Sequence, residues 1–320
     1  MGTRGQARTK MRITPFKCGR ELLLLVLSLF AISTFLSMEP NNILIGRAPL
    51  QFGFLTTFNL TSVLSNSALF RRNFGKQVIF LLETSQKGVL NLRQVCTLES
   101  AAGLNPEVSI ILVFSDLEQI SSKDNPAMME LLENSPNVKI ATLSSSEAFK
   151  GTPFEGIDYR MLKNSSDFKV HSSDLLRLSL LWKFGGMYMD LDYITLRSLS
   201  LLLRLKNFLT ADAEYNINNS MLGFERHNPF LWKILEHLQK NFNPEIYTTA
   251  VASINAAVRE TFKIDIQEAI RRVEIDKQLY VLNYLVTSPV KYVDCFQVYA
   301  GACSPRGTEG NGASIKEFLR

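Results

Sequence analysis

The stretch that decides the fold is Trp182-Lys183-Phe184-Gly185-Gly186-Met187-Tyr188-Met189-Asp190-Leu191-Asp192. Upstream, Leu175, Leu176, Leu178, Leu180, Leu181, Trp182 and Phe184 fill a helix whose start Ser172 or Ser173 can cap. Gly185-Gly186 ends it, because glycine takes the left-handed conformation that a helix C-terminus needs. Met187-Tyr188-Met189 then forms a short apolar approach to Asp190 and Asp192. Alternate side chains of an extended segment share a face, so the two carboxylates can serve one site. Such a pair repels unless a cation intervenes, and oxygen ligands with open positions suit Mn²⁺, with Mg²⁺ as the substitute. Taken alone, an Asp-x-Asp triplet reads more readily as a solvated acidic turn.

Working towards the N-terminus, Val78–Leu82 is a short continuous apolar run that fits a buried strand, Val108–Phe114 is a second buried strand, and Val138–Leu143 is a third. Between them, Leu90–Ala102 carries helical spacing through Leu92, Val95, Cys96 and Ala102, and Pro126–Glu133 reads as a short helix. This alternation predicts an α/β fold with an open, mostly parallel sheet flanked by helices. Ligands of such sheets sit at the carboxyl ends of the strands. No internal repeat is visible. Residues 39–75 lack sustained periodicity and read as a stem, with the folded domain over 76–305.

The 320 residues are 46% hydrophobic, 20% charged and 10% aromatic, the composition of a globular chain. A formal charge of +5 suggests nucleic acid at first sight. However, Arg4, Arg8, Lys10, Arg12, Lys17 and Arg20 all precede the first acidic residue, Glu21, and without them the charge falls to −1. A basic tail (1–21) beside an apolar segment (22–38) points to a membrane surface and excludes a nucleic-acid partner. At about 1.5 Å per residue Leu22–Met38 spans roughly 25 Å, enough for an N-terminal transmembrane helix through a thin bilayer. The positive-inside rule places the tail in the cytosol and the body in the lumen. Ser37-Met38-Glu39-Pro40 matches a signal-peptidase site poorly, which favours an uncleaved anchor. Sequons at Asn59, Asn164 and Asn218 agree with a luminal body. Cys96, Cys295 and Cys303 form an odd luminal set, giving at most one disulfide, while Cys18 lies on the cytosolic side. No Cys/His spacing suggests zinc.

The run Ser173-Asp174-Leu175-Leu176-Arg177, followed by Trp182 to Asp192, resembles the sugar-binding block of the α-1,4-glycosyltransferases. That family includes the globotriaosylceramide synthases and their insect relatives. Phe80-Leu81-Leu82-Glu83-Thr84-Ser85 resembles the family's first strand and Cys96–Ala102 its first helix. Asn219-Ser220-Met221-Leu222-Gly223-Phe224-Glu225 resembles the segment after the metal motif, so the likeness covers about residues 77–243. It implies a GT-A-like fold, a UDP-sugar donor and retaining transfer of galactose or N-acetylgalactosamine, in α-1,4 linkage, to a glycolipid acceptor resembling lactosylceramide. It also implies a single-pass type II protein of the Golgi membrane, working within Golgi enzyme complexes.

By the same resemblance Asp190 and Asp192 hold Mn²⁺ and the donor diphosphate, Asp192 more directly. Asp174 and Arg177 contact the donor sugar and the diphosphate region; read from spacing alone they are an i,i+3 ion pair worth ~0.2–0.5 kcal/mol. Tyr188 lines the same pocket or packs as an aromatic. Glu83, Thr84 and Ser85 close a strand where a nucleotide would lie, or are loop residues. Asn218 or Asn219 faces the acceptor, with Asn219 preferred. His171 reads as a helix-flanking residue and Trp182 as core. No side chain stands out as a nucleophile, which favours front-face attack by the acceptor hydroxyl.

After about residue 243 the family pattern is lost. Relatives end in a His-x-Trp-Asn segment, whereas here no tryptophan follows Trp232 and no histidine follows His237. Cys295–Pro305 keeps at most a decayed version of a family stretch, and 306–320 is glycine-rich, polar and expected to be disordered. The competing reading is therefore a catalytically impaired Golgi paralogue acting as a binding or chaperone-like partner. A phosphohydrolase is disfavoured, because in that class the first aspartate follows an N-terminal strand directly, whereas Asp190 follows a helix and a glycine turn.

Overall fold

The computed structural model describes residues 56–60, 70, 73–75, 77–157, 167–243, 245–246, 249–277 and 279–286. All of these belong to one compact unit, Phe52–Arg320. The expected anchor at 22–38, the sequon at Asn164 and everything after Val286 lie outside the described residues. Among the described residues no helix is long and apolar enough to cross a membrane.

The chain alternates strands and helices as the sequence predicts. β1 is Phe58–Asn59, β2 Val78–Glu83, α1 Leu92–Leu104, β3 Ser109–Ser115, α2 Pro126–Asn134, β4 Val138–Leu143 and α3 Ser145–Phe149. Then follow α4 Phe168–Phe184, β5 Gly186–Met189, α5 Ser200–Leu205, β6 Asn207–Ala213 and β7 Asn216–Phe224. The remainder is α6 Pro229–Asn241, α7 Thr249–Phe262, α8 Ile266–Arg272, β8 Glu274–Asp276 and β9 Leu279–Leu282. The strands form a single sheet in the order β1-β4-β3-β2-β5-β7-β6-β9-β8. From β1 to β5 all neighbours run parallel; β7 is antiparallel to both β5 and β6, and β9 returns parallel to β6. The expected open, mostly parallel sheet is therefore present, with an antiparallel insertion beside its centre.

Strand periodicity divides the core between two faces. Phe80, Leu82, Ile111 and Val113 point to the face covered by α4, α6, α7 and α8, whose Leu175, Leu178, Leu231, Leu235, Ile254 and Ile270 are buried there. Ile79, Leu81, Ile110 and Leu112 point the other way, against Leu98, Ala101, Met128 and Leu131 of α1 and α2. Helix α1 starts with a capping box: Gln94 N donates to Asn91 Oδ1 and Asn91 N donates to Gln94 Oε1, both at 3.0 Å. Asn228 caps α6 ahead of Pro229 by accepting from Phe230 N and Leu231 N.

Three expectations need correction. The stretch assigned to the stem contributes to the domain: β1 pairs with β4, Leu60, Phe70 and Phe74 are buried, and Phe70 stacks on Phe184 at 4.3 Å. A two-residue strand and isolated aromatics have no period to read. Helix α4 begins a turn earlier than Ser172, after Asp167, so His171 lies inside the helix and is buried, edge-on to Phe242. Trp182 is half-buried at the rim of the core, its ring 4.7 Å from Trp232 and 4.9 Å from His227.

The turn from α4 into β5 demands glycine twice. Gly185 has φ +69 and a Cβ there would lie 2.6 Å from Arg226 N. Gly186 has φ +105 and its Cβ would meet Val78 Cγ2 at 2.6 Å and Val78 O at 2.9 Å. The helix thus turns directly into the central strand with its backbone against β2. Gly186→Ala is expected to lower unfolding stability by ~1–3 kcal/mol, through left-handed strain and the clash with Val78. A reduced urea midpoint at unchanged slope checks this.

Candidate functional site

The site lies where β5 ends. Met189 pairs with Met221 of β7, and Asp190 N donates to Ser220 O at 2.9 Å, which fixes the start of the acidic triplet. Leu191 O accepts from Thr97 Oγ1 of α1 at 2.9 Å. β2 runs parallel to β5 with Phe80 opposite Tyr188, so the carboxyl ends of both strands open on the same edge. That edge is where an open α/β sheet receives its ligand.

Beneath the acidic pair lies a buried guanidinium. Arg177, 6% exposed, comes from α4 and reaches across the turn. Its Nη1 stands 3.1 Å from Asp190 Oδ1 and donates to Asn219 O at 2.7 Å. Its Nη2 donates to Ser173 Oγ at 2.7 Å and lies 3.2 Å from Asp174 Oδ1, while Nε donates to Ser173 O at 3.2 Å. The guanidinium also sits over the Tyr188 ring, 4.6 Å from its centroid. Asn219 Nδ2 donates to Asp174 Oδ1 at 2.8 Å, and Tyr188 Oη donates to Asp190 Oδ1. Five of the predicted positions, Asp174, Arg177, Tyr188, Asp190 and Asn219, are thus brought into one network.

Their exposure differs in a way that matters for binding. Asp174, Arg177 and Tyr188 are buried, whereas the Asp190 side chain is 29% exposed and Asp192 is exposed. The local i,i+3 pair between Asp174 and Arg177 forms, but in the interior rather than in water. Both contacts to Asp190 fall on Oδ1, so neither engages Oδ2, and Asp192 is exposed. A partly exposed and an exposed carboxylate two residues apart fit a hard divalent cation completed by ligand oxygens. Among the described residues no group of three or more His, Cys, Asp or Glu side chains converges to hold a metal by itself.

The electrostatics follow from burial. Burial raises the pKa of Asp174 above its ordinary 3.8, against the opposing pull of Arg177 and the Asn219 hydrogen bond. Asp190 is raised for the same reason, with Arg177 and the Tyr188 hydroxyl opposing and Asp192 adding to the rise. Burial holds the Tyr188 phenol well above 10.0, so it stays a donor. For Arg177 burial disfavours the charge, yet Asp190, Tyr188, Asp174 and Asp192 outweigh it, and the cation is retained.

The other predicted residues divide. Glu83 is buried at the end of β2; its Oε1 accepts from Ser85 N at 2.9 Å, and its buried Oε2 has no hydrogen-bond partner. Thr84 instead donates its hydroxyl to Lys169 O at 3.1 Å, tying β2 to the first turn of α4. Asn218 Oδ1 accepts from Ser220 Oγ at 2.8 Å, a strand-internal role that leaves Asn219 as the residue in the network. Ser173, read as a helix cap, is a ligand of Arg177; its i,i+4 spacing on one helical face was the available signal. Cys96 is disulfide-bonded, and the three other cysteines lie outside the described residues.

Comparison with known proteins agrees with the motif. Residues 92–214 match the family described as the glycosyltransferase sugar-binding region containing DXD motif. Lactosylceramide 4-alpha-galactosyltransferase of Mus musculus is 34% identical over 171 residues, covering 53% of this chain and 47% of that protein. Alpha-1,4-N-acetylglucosaminyltransferase of Homo sapiens is 30% identical over 195 residues, covering 59% and 56% respectively. Among solved structures, PaToxG glycosyltransferase aligns with a TM-score of 0.48 at 18% identity, covering 59% of this chain and 70% of that one. The resemblance to the α-1,4-glycosyltransferases read from the central motif therefore stands. The chain spans about half the length of the curated relatives it matches.

The network has a pH signature. A carboxylate raised by burial binds its proton more tightly folded than unfolded, so its contribution to stability is complete below 3.8 and is lost as pH rises through the folded value. The stability of the wild type relative to Asp174→Asn should therefore decline as pH rises above 3.8 and then level off. Denaturation midpoints across the acidic range test the sign; a relative stability that rises there would show Arg177 outweighing burial.

Proposed function

We propose that this protein is a retaining glycosyltransferase that moves galactose, or an N-acetylated hexosamine, from a UDP-sugar in α-1,4 linkage to a glycolipid acceptor. It would work on the luminal side of the Golgi membrane, held by the anchor at 22–38 and placed to join other Golgi enzymes. The observation that carries the reading is the pairing of partly exposed Asp190 and exposed Asp192 with the buried Arg177 network at the carboxyl end of β5. The similarity to transferases that bear this motif supports the same chemistry.

The residues divide the work. Asp190 Oδ2 and Asp192 would hold Mn²⁺, which when bound supplies positive charge to a diphosphate leaving group. Tyr188 and Arg177 fix the Asp190 rotamer through Oδ1, so the carboxylate is oriented before any ligand arrives. Asp174 and Asn219 hold Arg177 in turn. With 6% exposure, Asp174 and Arg177 act as positioning residues; Glu83, 5% exposed, is buried as well, so the donor contacts fall to Asp190 and Asp192. Among the described residues no side chain stands out as a nucleophile, which favours attack by the acceptor hydroxyl from the face that the UDP leaves. The protein contributes orientation and electrostatic stabilisation.

A second reading is a UDP-sugar-binding partner without turnover. It is favoured by the loss of the family pattern after about residue 243, since residues 243–320 hold no tryptophan or histidine. The structure gives that divergent part a scaffold role: Asn255 of α7 accepts from Ile217 N at 3.1 Å and donates to Ile217 O at 2.7 Å, bracing β7.

Full-length protein in detergent, with Mn²⁺, UDP-galactose or UDP-N-acetylhexosamines and lactosylceramide, separates the two. Transfer is expected, and Asp192→Ala should lower it by ~10²–10³-fold, the order seen when one transition-state stabilising group is removed. Because Asp192 is exposed, its loss should leave the melting temperature unchanged. UDP binding by calorimetry without turnover would select the partner reading.

A further inference from the structure

We propose that Tyr193–Lys206 is an interfacial element that seats the folded domain on an anionic lipid bilayer, a contact separate from any N-terminal anchor. The segment reads Tyr-Ile-Thr-Leu-Arg-Ser-Leu-Ser-Leu-Leu-Leu-Arg-Leu-Lys: six leucines and an isoleucine, three basic residues and no acidic one. So apolar a run would ordinarily be driven into the core. Yet none of the residues of α5 is buried.

Leu199, Leu202, Leu203 and Leu205 pack only partly against the sheet face that carries α1 and α2. Outward, Ile194 is 49%, Leu196 72% and Leu201 41% exposed. Arg197 and Arg204 are exposed between them, and Lys206 pairs with Glu225 at 3.0 Å.

This exposure is not fraying, because the segment is bolted along α1. Thr97 Oγ1 donates to Leu191 O at 2.9 Å, Thr195 N donates to Ser100 Oγ at 3.1 Å, and Leu199 N donates to Asn105 Oδ1 at 2.7 Å. Leu191 to Leu199 therefore runs parallel to α1 from Thr97 to Asn105, about 12 Å along the helix axis. A fixed platform with aliphatic side chains outward and arginines beside them has the composition of a monotopic membrane contact.

The charge pattern selects the occupant. With no acidic residue in the segment, two copies meeting through it would oppose arginine to arginine, whereas phosphate headgroups match the arginines and acyl chains match the leucines. The platform begins immediately after Asp192. Docking would bring the acidic pair to a lipid-borne acceptor; that last clause rests on the proposed transferase activity, while the docking does not.

The test places an environment-sensitive fluorescent amino acid at position 196, 201 or, as a control, 260, where the side chain is 69% exposed on α7. Full-length protein is reconstituted in phosphatidylcholine vesicles with or without phosphatidylserine, and nitroxide-labelled lipids serve as quenchers. Blue-shifted emission and quenching are expected at 196 and 201 but not at 260, in anionic vesicles only, and both should be lost in the Arg197→Glu/Arg204→Glu double variant. Unchanged circular dichroism and melting show that each protein is folded. Emission at 196 and 201 matching that at 260 overturns the proposal, as does a shift that follows protein concentration rather than lipid, which would mean contact between copies. Quenching that persists in the double variant or in neutral vesicles overturns the anionic selectivity. No sugar or nucleotide enters the readout, so loss of transfer with quenching intact counts against the enzyme reading alone.

Discussion

The arrangement depends on one buried cation. Arg177 is an ionised guanidinium in the interior, and such a charge is tolerated only when paired and hydrogen-bonded on most sides. Asp174 and Ser173 come from its own helix, Asp190 from the end of the central strand, and a backbone carbonyl from Asn219 of β7. Three elements are thereby pinned to one point. Helix α4 cannot slide along the sheet, nor β7 shift register, without stranding the charge.

The same constraint explains why the acidic triplet is asymmetric. Asp190 gives one oxygen to the buried network, so its orientation is set by the fold, whereas Asp192, two residues on, is exposed.

How much of this could be read in advance follows from local chemistry. Strands β2, β3 and β4 were placed to within a residue because β2 and β3 hold continuous runs of Val, Ile, Leu and Phe, and β4 carries Val138, Ile140 and Leu143 between polar stretches. Gly185-Gly186 located the corner, and Asp174, Arg177, Asp190 and Asp192 were visible as a motif. The start of α4 was missed because Ser172 and Ser173 carry the chemistry of caps, while Asp167, which makes no side-chain cap bond, marks the true start. Strands β6 and β7 gave no strand signal: Asn207–Ala213 and Asn216–Phe224 are rich in Asn, Ala and Gly, and their pairing has register shifts. That Asp174 and Arg177 lie under the site rather than in it depends on packing by β7, which no spacing within α4 reveals.

The tight corner at Gly185-Gly186 also bears on the order in which the molecule assembles. Because the helix returns on itself within two residues, Arg177 and Asp190 are separated by only thirteen positions of chain, and closing so short a segment costs little conformational entropy. The ion pair is thus a low-contact-order feature within a sheet whose parallel pairings span greater sequence distances. A nucleus of α4, the corner and β5 can form from local sequence and then template β2 and β7 on either side. Later segments have less hold over that nucleus, so the C-terminal third can drift while the helix, the corner and the acidic triplet retain their form.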